Sequence, residues 1–239
     1  MERWLRTLVD LVFPASCEVC ETPLAPGHVG SLCGRCRVAM SPPRPPLCAR
    51  CGVPMHAALD ACARCTRQPP RFGSARAAAL YLPAATGRNP LATAIQSLKY
   101  RRRRVLAEDL GALLAERYPF AADALLVPVP LHPARLRARG FNQAVLLARV
   151  LGRRRGLAVA PRLLARTRET EAQAGLAAAD RHRNLSDAFL VRGGKLAAGP
   201  PIVLVDDVLT TGATADACAD ALRRAGATHV DVYTVGRAP

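Results

Sequence analysis

The stretch IVLVDDVLTTGAT, Ile202 to Thr214, decides the fold. It opens with four successive β-favouring apolar residues after Pro200-Pro201, the signature of a strand buried on both faces, as in a parallel sheet. The run from Ala215 to Ala225 then reads as a helix that stops at Gly226. A strand that turns directly into a helix points the first amides of the helix at the connecting loop. Thr210, Thr211 and Thr214 add hydroxyls there, and Gly212 lets backbone amides approach an anion. Asp206 and Asp207, at the carboxyl end of the strand, are ill-suited to a phosphate but well suited to accept hydrogen bonds from vicinal ribose hydroxyls. Cys218, on the same helical stripe as Leu222 and Ala225, reads as a small buried residue.

Upstream, Leu125 to Val129 reads as a second buried strand, followed by a helix from about Asn142 to Arg154. Between them, the prolines at 128, 130 and 133 suggest a stiff, extended exit. In an extended loop the alternate positions Arg135, Arg137 and Arg139 share one side. The segment from Arg166 to Asn184 is long and polar, between strand-like Leu157–Ala165 and Ala188–Val191. Loops of this length inside a compact domain are usually functional, and this one is a candidate hood over a ligand.

Eight of the nine cysteines form four CxxC pairs: Cys17/Cys20, Cys33/Cys36, Cys48/Cys51 and Cys62/Cys65. Each pair places two sulfurs on one tight knuckle, and two knuckles complete the tetrahedral thiolate shell that Zn²⁺ prefers. Sequential pairing of knuckles is the simplest arrangement; cross-bracing the first with the third fits the spacing as well. A disulfide framework is the competing reading, but the opening segment lacks the features of a signal peptide, which argues for a reducing, cytoplasmic setting. The segment Met1 to Phe13 reads as a short amphipathic helix. So small a module has little core of its own and depends on metal for its fold, which makes two zinc ions structural.

The formal net charge is +16, and among 34 basic residues only Lys99 and Lys195 are lysines. Guanidinium forks suit polyanionic ligands. The excess belongs to residues 71–239, because each tetrathiolate zinc site contributes about −2 to residues 1–70. No segment approaches the roughly 20 uninterrupted apolar residues of a membrane span. The expected organisation is an N-terminal helix and double zinc-ribbon module over 1–70 and an α/β domain over 71–239.

The 202–214 stretch resembles the PRPP-binding signature of type I phosphoribosyltransferases. Together with the four knuckles, SLKYRRR at 97–103, VPVPLHPARLRARGFNQA at 127–144 and the RT…QAGL…R…N spacing around Gln173 to Asn184, it is similar to the ComF family, associated with competence and DNA uptake. The resemblance implies a parallel sheet flanked by helices that binds PRPP with Mg²⁺ and transfers its phosphoribosyl group to an unidentified acceptor. In that frame Asp206 and Asp207 fix the ribose, Thr210, Thr211, Gly212, Ala213 and Thr214 hold the 5-phosphate, and Arg135, Arg139 and Lys99 are further substrate contacts. It also implies competence or helicase proteins as partners. The rival reading is a non-catalytic scaffold or PRPP sensor that holds single-stranded DNA on its arginines.

Overall fold

The computed structural model describes residues 15–82, 89–168, 188–196 and 199–239. The opening amphipathic segment and most of the candidate hood lie outside them.

Four strands form an all-parallel sheet: β1 (Ala75–Leu80), β2 (Leu125–Pro128), β5 (Ile202–Leu209) and β6 (Val230–Arg237), in the order β1-β6-β5-β2. The 202–209 strand is central, with Ile202 to Val205 opposite Leu125 to Pro128 on one side and β6 on the other. Both faces are covered, as a parallel sheet requires. Strand periodicity sends Val203, Val205, Tyr233 and Val235 into one core and Ile202, Leu204, Val230 and Val232 into the other.

The first core is roofed by α3 (Pro90–Tyr100), α4 (Leu106–Glu116) and α6 (Gln143–Arg155). Asn89 caps α3 and Asn142 caps α6, each accepting from an amide of the first turn. Gly111 of α4 faces Val150 of α6 so closely that a β-carbon on the glycine would sit 2.4 Å from the valine Cβ. Tyr233 is fully buried, donates its hydroxyl to Leu114 O at 3.0 Å and meets Tyr118 and Phe120 edge-on. Burying a large apolar side chain in this way contributes about 1.5–3 kcal/mol. The second core is closed by α7 (Ala213–Arg224) and by an antiparallel ribbon of β3 (Leu164–Arg166) and β4 (Phe189–Val191). Cys218 is fully buried on α7, and burial pushes its thiol well above the ordinary range. It is core, as its stripe predicts.

One expectation is overturned. Residues 133–139 are helical, not extended: they form α5 (Pro133–Arg139), with His132 as its amino-terminal cap and Gly140 in the left-handed region closing it. Proline is tolerated at the first helical position because its missing N–H would have had no partner there. On a helix the i, i+4 pair Arg135 and Arg139 shares a face, while Arg137 points away.

The second and fourth cysteine knuckles open short helices, α1 (Gly34–Ala39) capped by Cys33 and α2 (Ala63–Arg67) capped by Cys62, and the module lies against the sheet domain. Cys17, Leu32, Cys36 and Met40 belong to the same core as α3 and α4. No helix among the described residues is long and apolar enough to cross a membrane.

Candidate functional site

The carboxyl end of β5 is where the strand's alternation becomes chemistry. Asp206 and Asp207 are adjacent, so their side chains leave on opposite faces of the sheet. Asp207 follows the face of Val203 and Val205, toward α3, and is buried at 4% exposure. Lys99, in the last turn of α3, forms an ion pair with its Oδ2, while Oδ1 accepts from the Val208 amide at 2.8 Å. Asp207 thus has both oxygens engaged within the fold. Its Oδ2 has the ammonium beside it but no aligned hydrogen bond.

Asp206 follows the other face and borders a hollow formed with the Thr210–Thr214 turn, Val232 and Thr234. Its Oδ1 accepts from the Asp207 amide at 2.8 Å, and among the described residues Oδ2 accepts no hydrogen bond. Although the residue keeps some solvent access, burial pushes its pKa up to about 6, against the pull of the Lys99, Arg139 and Arg166 charges. A carboxylate costly to ionise that borders a hollow gains from any hydrogen-bond donor brought to it.

The turn beside it presents backbone donors at the start of a helix. Gly212 caps α7 with φ +79° and offers no side-chain cap. Ala213 N reaches only its own loop, donating to Thr211 Oγ1 at 3.4 Å, and among the described residues the amides of Thr214 and Ala215 have no acceptor. Two open N–H groups at the positive end of a twelve-residue helix favour a phosphate oxygen. Thr210 and Thr211 are exposed around them.

Arg139, half-buried, braces against Gln143 and lies with its guanidinium carbon 5.6 Å from the Tyr100 ring centre. Burial lowers its pKa, opposed by Tyr100 and Asp206. Burial also lowers that of Lys99, with Asp206 opposing the shift. Lys99, Arg139 and Asp206 therefore belong to one electrostatic neighbourhood, and Arg135, exposed on α5, adds its charge at Arg139. Sequence reasoning missed two members. Arg166, where the RT motif opens, contributes to the potential at Asp206 and stacks on Phe189. Tyr100 is 74% exposed beside the arginines.

The cysteines resolve into two clusters in sequential pairing, Cys17, Cys20, Cys33, Cys36 and Cys48, Cys51, Cys62, Cys65, with all four sulfurs of each within 4.8 Å of one another. Amides point at the sulfurs, Cys33 N to Cys17 Sγ and Cys62 N to Cys48 Sγ, both at 3.3 Å. Such N–H···S contacts spread the charge of thiolates, and four converging sulfurs fit one tetrahedral Zn²⁺ with no position open for catalysis. The cross-braced alternative is excluded by this geometry.

Two four-cysteine clusters seated on an all-parallel sheet flanked by helices define the class of protein. Residues 8–66 match the double zinc ribbon domain family. The chain is 36% identical over 234 residues to DNA utilization protein YhgH of Escherichia coli (strain K12), covering 95% of this chain and 99% of that protein. It is 30% identical over 201 residues to Competence protein F of Haemophilus influenzae, covering 81% and 85%. Competence protein ComFC of Bacillus subtilis is 32% identical over 133 residues, 54% of this chain and 50% of that protein. The chain belongs to the ComF family. Among solved structures it is similar to a glutamine PRPP amidotransferase from B. subtilis, with a TM-score of 0.36 and 22% identity over 53% of this chain and 25% of that one. A hypoxanthine phosphoribosyltransferase from Staphylococcus aureus gives 0.29 and 14% over 55% and 60%.

Proposed function

We propose that the chain binds PRPP or a related ribose 5-phosphate and acts as a phosphoribosyltransferase in DNA or nucleotide utilisation. One observation carries the reading: Asp206, whose Oδ2 accepts no hydrogen bond among the described residues, and the 210–215 turn, whose Thr214 and Ala215 amides have no acceptor among them, line a single hollow. The turn binds the 5-phosphate and Asp206 accepts from a ribose hydroxyl. Asp207 is a positioning residue, held by Lys99 so that its neighbour's backbone stays fixed. Arg139, and Arg135 farther out on the same helical face, attract the pyrophosphate. Mg²⁺ carried by the pyrophosphate supplies further charge neutralisation. The cationic neighbourhood stabilises a departing pyrophosphate by position and field rather than by proton transfer. The names of the relatives, DNA utilization and competence, support the biological setting.

Titration of ribose 5-phosphate and of PRPP with Mg²⁺ into the wild type and Asp206→Asn tests the site. Binding that the substitution weakens at least tenfold supports it, and equal affinity in the folded variant removes it. Pyrophosphate release with a panel of bases then tests turnover.

A second reading, a non-catalytic scaffold for single-stranded DNA, is favoured by Tyr100. An exposed aromatic ring next to Arg101 to Arg104 and Arg139 offers a base-stacking surface within a cationic patch. DNA binding without pyrophosphate release supports this reading over the enzyme.

A further inference from the structure

The second zinc cluster and the phosphate turn share one residue. Arg237, at the carboxyl end of β6, is 4% exposed. Its Nε donates to Cys51 O at 2.9 Å, and Nη2 reaches Cys51 Sγ at 3.6 Å. Its Nη1 donates to Leu209 O at 3.1 Å and to Thr210 O at 3.0 Å, the residues where β5 becomes the turn. One planar guanidinium thus grips a metal-ligand residue with one edge and the root of the phosphate loop with another. Arginine's fork is rigid, so displacement at one end is passed to the other.

A second connection runs parallel to the first. Phe72, just beyond the last knuckle, is 3% exposed and lies under Gly212, its ring atoms 3.8 Å from where a β-carbon on the glycine would stand. Arg71 N donates to Asp216 in the first turn of α7. Among the described residues the first cluster has no comparable link to the turn; its buried members pack with α3 and α4.

Resting on the ribose 5-phosphate reading above, we infer that Arg237 couples zinc occupancy at Cys48, Cys51, Cys62 and Cys65 to the conformation of the 210–214 turn. Zinc at this site favours the phosphate-binding arrangement. By reciprocity, a ligand in the turn holds the zinc more firmly. The other zinc site is indifferent to ligand. Arg237 is a positioning residue in this scheme, acting through the loop carbonyls it holds.

The test is the rate of zinc release to a chromophoric chelator, with and without saturating ribose 5-phosphate, after titration has established its binding to the wild type. Cys20→Ser and Cys62→Ser, each expected to retain one zinc, assign the two release phases. In the wild type, ligand is expected to slow release from the second site about five- to tenfold and to leave the first unchanged. In Arg237→Lys, with two zinc ions retained and a cooperative melt, the protection is expected to vanish. Equal slowing at both sites, or undiminished protection in Arg237→Lys, overturns the coupling while leaving the ribose 5-phosphate site intact. Failure of the wild type to bind ribose 5-phosphate overturns the site and the coupling together. Should Arg237→Lys not fold, affinities decide: Cys62→Ser is expected to bind ribose 5-phosphate about fivefold more weakly than Cys20→Ser, and equal affinities overturn the inference.

Discussion

Lys99 crosses from the end of α3 to the carboxylate of Asp207, so the second acid of the doublet is neutralised inside the protein while the first faces the hollow. The lysine side chain is 21% exposed and the aspartate side chain 5%. A pair this enclosed is expensive to break from one side, because the remaining charge has no water to replace its partner. Lys99→Met is expected to lower stability by about 3 kcal/mol in chemical denaturation. Lys99→Met combined with Asp207→Asn is expected to recover most of that loss. A double variant no more stable than the single one would show that the pair does not carry the cost.

Asp206 gives a pH signature. Its folded pKa of about 6 lies above the ordinary value of 3.8. Between these values the folded protein holds more proton than the unfolded chain, so the group's contribution to stability declines as pH rises through the window. Asp206→Asn removes that decline. The variant is expected to be about 1–2 kcal/mol more stable than the wild type at pH 8 and nearly equal to it at pH 4. Thermal melts across pH check this, and a variant less stable at pH 8 contradicts it. Ribose 5-phosphate affinity in the wild type should rise as pH passes 6, after allowance for the phosphate's own titration.

Zinc content bears on the fold as a whole. Two ions per chain are expected by elemental analysis. Cys36 is buried at 6% exposure in the same core as α3 and α4, so losing the first site reaches the sheet domain. Cys36→Ala is expected to lose one zinc and roughly 3 kcal/mol or more of stability. A variant that kept two zinc ions would refute the assigned ligand set.

Tyr100→Ala should leave the fold intact, since the ring is 74% exposed. Loss of a stacking platform is expected to weaken single-stranded DNA binding by about 1–3 kcal/mol. Binding is expected to keep a steep salt dependence from the remaining arginines. Unchanged affinity, measured by fluorescence anisotropy, would remove Tyr100 from the DNA surface.

The central strand, the threonine turn and the zinc knuckles were legible because each is local: a contiguous apolar run, a strand-to-helix turn, a two-residue spacing between thiols. What the sequence hid depends on tertiary placement. Nothing near Asp207 announces that Lys99 will reach it, and the grip of Arg237 on Cys51 spans 186 residues. The error at 133–139 has a chemical cause. Prolines at 130 and 133 resemble an extended path, but Pro133 starts a helix, which the cap at His132 and the left-handed Gly140 complete. Tyr100 carries no signal in the sequence because a single aromatic makes no pattern; its meaning comes from Arg139 settling over it.

Gly111 reverses a common rule of protein engineering. Replacing a helical glycine by alanine ordinarily stabilises by about 0.4–1 kcal/mol, through a less permissive unfolded chain. At the crossing with Val150 the added methyl has nowhere to go, and overpacking costs about 1–3 kcal/mol. A thermostabilisation campaign that swaps glycines indiscriminately would wedge α4 from α6, whose first residue steadies Arg139.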